Sequence, residues 1–485
     1  MATTRRNFLR GTAALGMSAA LPGVTGCAPP PDPVGGPAPF RHGVASGDPD
    51  GRSVVLWTRV DPSDDQLAPR LVRWEVATDA TFADVISHGA LETTAERDWT
   101  VKVIAGDLLP ATTYFYRFSV EASASPVGRT RTTPEGATDQ IRLGVVSCSN
   151  YGYGNFYAYR NLAARTDLDA IVHLGDYIYE YASAGYGETF GEFRPLDPPT
   201  EIVTLDGYRR RYAQYRRDPD LRELHRQFAM IHVWDDHEFA DDPYVGGAVN
   251  HQPETDGDWT ARVSAALRAY DEWMPTRLTG NQIYRTVDFG DLARLVLTDR
   301  QRRFLWPEPD DSDLYLGRAQ FDWLDQRLAE STSSWLILGA QTTFGSTDPD
   351  VTSGGWGARD RSRVIRNLTE GGTDNLVVIS GDTHRALALE LVSDPIAYLT
   401  DGSGRAGVEL SCGSISSPGS NLLNPGPAVR WNSGFDRTYL ILDIDRNRTR
   451  SEIWGFFDFA KYLPWNPGEQ LLAALTTPAG TNRLM

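Results

Sequence analysis

The sequence predicts an α/β protein, a layered sandwich of buried strands and helices carrying an all-β module on its N-terminal side. Three observations support this. Short β-rich runs with two-residue alternation fill residues 40 to 133. From Ile141 onward, apolar strand-like runs alternate with helical stretches. Polar clusters gather at the carboxyl ends of those runs. A chain of 485 residues is long enough for two or three domains and a large core. With 41% hydrophobic and 23% charged residues, 30 Pro and 45 Gly, the composition is that of a loop-rich globular protein, and it excludes a disordered chain or a membrane bundle. No internal repeat is evident.

Residues 1–27 are expected to be an export segment. "TTRRNFLRG" sets a twin arginine before Phe8, Leu9 and an apolar, small-residue run from Gly11 to Val24, which is too short to span a bilayer stably. It resembles a twin-arginine (Tat) signal, whose route carries folded proteins. Val24-Thr25-Gly26-Cys27 resembles a lipobox, which would lipidate Cys27 and anchor the protein to the membrane. Cleavage nearby with release into the periplasm is the alternative. The expected location is therefore periplasmic or cell-surface. Residues 28–39 are a Pro/Gly linker. Removing Arg5, Arg6 and Arg10 with the export segment takes the formal net charge from −17 to −20. That charge argues against nucleic acid bound through bulk electrostatics. An anionic substrate would need local cations, which metal ions can supply.

Residues 40–133 form the N-terminal β module. "SVVLWTRV", "LVRWEVATD", "TVKVIAGDL" and "TYFYRFSV" read as its strands, and "LLPATTYFYRFSV" resembles a fibronectin type III sandwich pattern. A catalytic domain is expected over 140–470 and a tail over 471–485. Within 140–470, "IRLGVVSCSN", "AIVHLGD", "FAMIHVWDDHE", "LARLVLTD", "SWLILGAQ" and "NLVVISGDTH" read as strands. "NFYAYRNLAARTD", "LDGYRRRYAQYRRDPDLRELHRQ" and "GRAQFDWLDQRLAES" read as helices.

In "VVSC", "HLGD", "VWDDHE" and "VISGDTH" every side chain able to bind metal follows an apolar run, and in a parallel arrangement such strand ends share one edge. The set comprises Cys148, Asp176, Tyr177, Tyr179, Asp235, Asp236, His237, Glu238, Asp382 and His384. Carboxylates, imidazole, thiolate and phenolate together suit a two-metal site. Hard oxygen ligands favour calcium or another hard cation, and thiolate with phenolate favours iron.

"FRHGVASGDPDGRSVVLWTRV", "VVSCSNYGYGNFYAYRNLA", "DAIVHLGDYIYEY", "YRRRYAQYRRDPDLR", "VWDDHE" and "VVISGDTH" resemble the successive motifs of the PhoD-like alkaline phosphatases, over nearly the whole mature chain. The resemblance implies a metallophosphoesterase-like core binding Fe(3+) and Ca(2+), with phosphate monoesters and diesters hydrolysed by a metal-bound hydroxide. It implies that Cys148 and Tyr179 bind iron and that Asp176 bridges the two metals. By analogy with wider metallophosphoesterase motifs, Asp236, Asp382 and His384 become further metal ligands and His237 a phosphate-facing acid, so that His237 and Asp176 are the catalytic pair. Arg300 becomes a phosphate contact.

Two departures from the family pattern stand out. "VLTDRQRRF" leaves open whether Asp299 or Thr298 takes the place of an expected acid, and Asp241 and Asp242 add carboxylates after "WDDHE". Cys412 in "VELSCGSISSPG" is expected near Cys148. A disulfide between them would abolish the thiolate ligand, and the metal role for Cys148 is the preferred reading. His173 is expected to orient Asp176 or to satisfy a backbone group. Two rival functions are carried: a phosphodiesterase or phospholipase D with weak monoesterase activity, and an inert surface lipoprotein whose β module binds a glycan or protein. The complete ligand set argues against the second. The sequence leaves the oligomeric state and natural substrate open.

Overall fold

The computed structural model describes residues 36–62, 68–183, 185, 194–308, 314–348, 356–372, 374–419, 421–422 and 424–485. The export segment, its lipobox and residues 28–35 of the linker lie outside them. The described residues all belong to one unit, Asp32–Met485.

The N-terminal strands are β1 (Val44–Gly47), β2 (Val54–Arg59), β3 (Arg70–Ala77), β4 (Val85–Thr93), β5 (Thr100–Ala105), β6 (Thr113–Val120), β7 (Ser123–Ala124) and β8 (Gly128–Arg131). A five-stranded sheet of β4, β3, β6, β7 and β8 faces β1, β2 and β5 across a shared core that includes Val54, Leu56, Val72, Val76, Val101, Tyr114, Tyr116 and Phe118. In β6, buried and half-buried residues alternate without a break, as a strand with one covered face requires.

The second layer of this sandwich is not separate from the rest of the protein. After β9 (Gln140–Val146), β10 (Ala170–His173) and β11 (Ala229–His232), strand β1 pairs in parallel with β11, Ser46 opposite Ala229. Thus β1, β2 and β5 extend the sheet that holds β9, β10 and β11, a continuity that no local pattern announces.

Strands β12 (Arg285–Phe289), β13 (Ala293–Leu297), β14 (Trp335–Gly339), β15 (Leu376–Ser380), β16 (Ala386–Val392), β17 (Arg405–Cys412) and β18 (Val429–Ser433) make a second sheet, in the order β12-β13-β14-β15-β17-β16-β18. With β19 (Asp436–Asp445), β20 (Arg448–Phe457) and β21 (Gln470–Pro478), the first sheet reads β21-β20-β19-β9-β10-β11-β1-β2-β5. Leu295, Leu297, Ile337, Val377 and Ile379 of the second sheet enter one core with Leu143, Val145, Leu440 and Leu442 of the first. The alternate residues Val296, Leu336, Leu338 and Val378 pack outward beneath helices Arg318–Ala329 and Ala358–Glu370. The metal-type residues are therefore shared between two facing sheets.

Two expectations need correction. Residues 471–485 are not a tail: Gln470–Pro478 is an edge strand paired with β20, and its mostly half-exposed side chains hide the alternation. The helix expected over 205–227 is two helices, Leu205–Arg217 and Pro219–Gln227. Asp218 precedes proline and is held at ψ 126°, and its carboxylate caps the second helix through the Asp220 and Leu221 N–H groups.

Candidate metal centre

Five strand ends converge. β9 leads to Cys148, β10 to Asp176–Glu180, β11 to Asp235–Glu238, β13 to Arg300, and β15 to Asp382 and His384. Cys148, Asp176, Asp382 and His384 all have left-handed backbone, at φ 61°, 55°, 62° and 54°. Such a conformation costs a non-glycine residue about 1 kcal/mol or more and persists only where neighbours hold it. Here Cys148 N–H donates to Gly175 O at 3.2 Å and Ser149 N–H to Asp176 O at 2.9 Å. Gly175 itself sits at φ 98°, and a Cβ there would fall 2.5 Å from Asp235 Cβ. Glycine lets the β10 and β11 ends approach closely enough to share ligands.

The donor atoms form four overlapping groups, each within 4.8 Å: Cys148 with Asp176 and His384; Asp176 with Asp236 and His237; Asp176 with Asp235, Asp236 and Asp382; and Asp236 with Asp241 and Asp242. Tyr179 joins the first group, its hydroxyl 3.2 Å from Asp176 Oδ2 and 3.1 Å from His384 Nε2, and it accepts from Ser417 Oγ at 2.7 Å. His384 Nδ1–H donates to Pro418 O at 2.7 Å, which leaves Nε2 as the ligand-type atom facing the cluster.

Asp176, Glu180, Asp235, Asp236 and Glu238 are fully buried or nearly so, Asp382 is 9% exposed, and the cations acting on them include Arg300, His237 and, at Glu180, Arg262. Arg300 Nη2 donates to Asp235 Oδ2, Asp236 Oδ1 and Asp382 Oδ1 at 2.9, 3.1 and 3.0 Å. Burial opposes protonation of His237, but Asp236, Glu180 and Asp176 outweigh it and push the imidazole well above its ordinary range. Burial, then the charge of Asp176, pushes Glu238 well above the carboxylate range. Carboxylates crowded beyond the available positive charge, with thiol, phenol and imidazole on one side of Asp176 and oxygens on the other, fit a bound metal pair.

Glu238 accepts the N–H groups of Asp176, Tyr177 and Asp235 at 3.1, 2.6 and 2.8 Å, tying the two loops together. Tyr177 turns away from the cluster, its hydroxyl 2.8 Å from His225 Nε2. Asp299 and Thr298 both stay outside it. Asp299 Oδ1 accepts from Trp234 Nε1 at 2.9 Å and Thr298 Oγ1 donates to Gly339 O at 3.0 Å, so neither replaces the expected acid. His173 satisfies a backbone group, accepting Gly175 N–H at Nδ1. Cys148 and Cys412 are thiols and form no disulfide with each other, and Ser147 Oγ lies 3.2 Å from each sulfur.

Sequence reasoning missed Glu180, Ser417, Thr342 and Gln301. Glu180 pairs with His237, Thr342 Oγ1 donates to Asp382 Oδ2 at 2.9 Å, and Gln301 Nε2 donates to Asp235 Oδ1 at 2.7 Å. Only Glu180 carried a local signal, as the acid closing "GDYIYE".

Two family models match the chain, PhoD-like phosphatase over residues 143–451 and PhoD-like phosphatase, N-terminal domain, over residues 26–134. Alkaline phosphatase D of Bacillus subtilis (strain 168) is 35% identical over 389 residues, 73% of this chain and 66% of that protein, so the match spans just under two thirds of the relative. A solved structure of PhoD matches with a TM-score of 0.82 at 29% identity, covering 92% of each chain.

Proposed function

The chain belongs to the PhoD-like phosphatase family, and from that premise we propose that it is an exported, metal-dependent phosphoric ester hydrolase of the alkaline phosphatase D type. Its substrates are small phosphate monoesters and diesters. Asp176 carries the reading, because it alone belongs to the thiol–imidazole group, the His237 group and the four-carboxylate group. Cys148 and Tyr179, with His384 beside them, form the half whose donors suit Fe(3+). Asp236 and Asp382, with Asp235 adjoining, form the half that suits Ca(2+), and Asp176 is common to both. Metal ions held there supply Lewis acidity and lower the pKa of a bound water from about 15.7 to about 7.

The chain's own residues supply the rest. Arg300 has a side chain 12% exposed against 0% for His237, so it is the cation placed to meet an incoming phosphoryl group. Asp235 and Gln301 hold its position. His237 directs Nδ1 toward Glu180 and Nε2 toward Asp236, and with its side chain fully buried it acts on the departing ester oxygen through its charge rather than by contact. Glu238 fixes the spacing of the two loops. The twin-arginine segment exports the folded protein, and Cys27 either anchors it by lipid or is lost on release.

Metal analysis of the purified protein, joined to assays on an aryl phosphate monoester, a bis-aryl diester and phosphatidylcholine, tests the proposal. Exhaustive chelation should abolish turnover, and calcium should restore it better than magnesium. Full activity after chelation overturns the metal role. Absence of turnover on all three esters by metal-replete protein overturns the enzymatic reading in favour of a binding lipoprotein.

A further inference from the structure

A second polar centre lies at the seam where β1 meets β11, built around Arg216 near the end of helix Leu205–Arg217. Its guanidinium is fully buried and lies over the Trp57 ring at 4.2 Å. Among the described residues no carboxylate acts on it; the Tyr177 and Tyr116 hydroxyls do, and neither makes a well-aligned hydrogen bond with it. Tyr116 of β6, Ser46 of β1, His225 of helix Pro219–Gln227 and His232 of β11 lie in the same seam, each at most 1% exposed. Tyr116 Oη and Ser46 Oγ lie against each other and His232 lies near the Met230 backbone, and neither these groups nor His225 Nδ1 make a well-aligned hydrogen bond among the described residues. The charge of Arg216 acts on Tyr116, Tyr177, His225 and His232, which places the four around it. Burial first, then neighbouring cations, holds both histidines well below their usual range, so each is neutral and keeps one N–H to donate.

We propose that this centre is an anion-binding site for a dehydrated monovalent anion of the halide class, held by the Arg216 guanidinium and the hydroxyl and imidazole donors of Ser46, Tyr116, His225 and His232. Water would satisfy the hydrogen bonds but leave the buried charge uncompensated. An ion here must shed its whole hydration shell, which costs a halide less than phosphate or sulfate. The site joins three parts of the molecule: Trp57, Ser46 and Tyr116 belong to the N-terminal sandwich, His232 to the central sheet, and Tyr177 to the metal-site loop, where its N–H is fixed by Glu238. Bound anion would brace the sandwich against the loop that carries Asp176. The inference does not depend on the phosphoesterase reading.

The test is crystallographic. Full-length mature protein, purified and crystallised in sodium bromide without chloride, should show an anomalous peak in contact with the Arg216 guanidinium. Water alone at that position overturns the proposal, as does a peak that persists in Arg216→Met. In solution, the melting temperature should rise by about 2 °C or more in sodium chloride or bromide over sodium gluconate at equal ionic strength. Arg216→Met should abolish that rise. Should this variant fail to fold, Tyr116→Phe is expected to reduce the rise, and the bromide peak in the unmodified protein remains decisive.

Discussion

Glu180 Oε2 lies 2.9 Å from His237 Nδ1, both side chains fully buried, and this contact joins the loop after β10 to the loop after β11. The other oxygen, Oε1, accepts from Asn250 Nδ2 at 2.7 Å and from Asp241 N–H at 2.8 Å, so the carboxylate cannot rotate away. The Tyr179 ring stacks on the same imidazole with centroids 4.2 Å apart. His237 is thus held in position and plane by two residues of one short loop, with its charge sustained by the carboxylates around it.

Glu180→Gln tests that arrangement. Glutamine keeps the size and one acceptor but removes the negative charge that stabilises the imidazolium. We expect kcat for a phosphomonoester to fall about 10- to 100-fold, with little change in KM or in metal content. Metal loss in proportion to activity would instead make Glu180 a support for the ligand set.

The iron assignment predicts colour. A ferric ion bound to phenolate and thiolate absorbs in the visible, and calcium or zinc does not. Tyr179→Phe and Cys148→Ala should each bleach or shift the band with loss of turnover. Cys412→Ala should keep both, because the two sulfurs form no disulfide and Ser147 Oγ lies between them. A colourless, iron-free and fully active protein sinks the iron assignment.

Acid should weaken the fold through three stacked histidines. His173, His225 and His232 are fully buried, with centroids 5.9 and 5.7 Å apart from one ring to the next. Burial holds His173 down to about 3 and, with neighbouring cations, the other two well below 6.5. Below pH 6.5 the unfolded chain binds protons that the folded chain refuses. Their contribution is therefore full above 6.5 and declines as pH falls, for His173 down to about 3, by about 1.4 kcal/mol per pH unit for each histidine still refusing its proton. Urea midpoints from pH 8 to pH 5 should fall, and His225→Gln should make the decline shallower. An unchanged slope in that variant removes His225 from the account.

Export is tested at the twin arginine. Arg5→Lys with Arg6→Lys should leave the protein in the cytoplasm. Cys27→Ala should release it in soluble periplasmic form if the lipobox is used. Normal surface activity from the double lysine variant would count against the signal.

The strand ends were legible in the sequence because an apolar run that stops at polar or acidic residues leaves a local trace. Cys148, Asp176, Tyr179, Asp236, Asp382 and His384 all follow such stops, the family resemblance supplied their individual ligand roles, and the structure gathers them into overlapping donor groups. The break of helix 205–227 at Asp218-Pro219 was also written locally, in the missing proline N–H and the capping aspartate, although the helical periodicity on both sides obscured it.

What the sequence alone determined was the identity and order of the donors, since each is tied to its own strand by residues within a few positions. Tertiary structure decided what no short window contains. It split the donor residues between two facing sheets, drew β1 into the central sheet, turned Tyr177 toward His225 rather than the donor cluster, and set Ser147 between two cysteines 264 positions apart. It also left Arg216 in the seam between β1 and β11 with no carboxylate acting on it among the described residues. The reason is physical: a side chain's direction and charge partners are set by elements distant in sequence and fixed together only when the apolar faces of both sheets are buried.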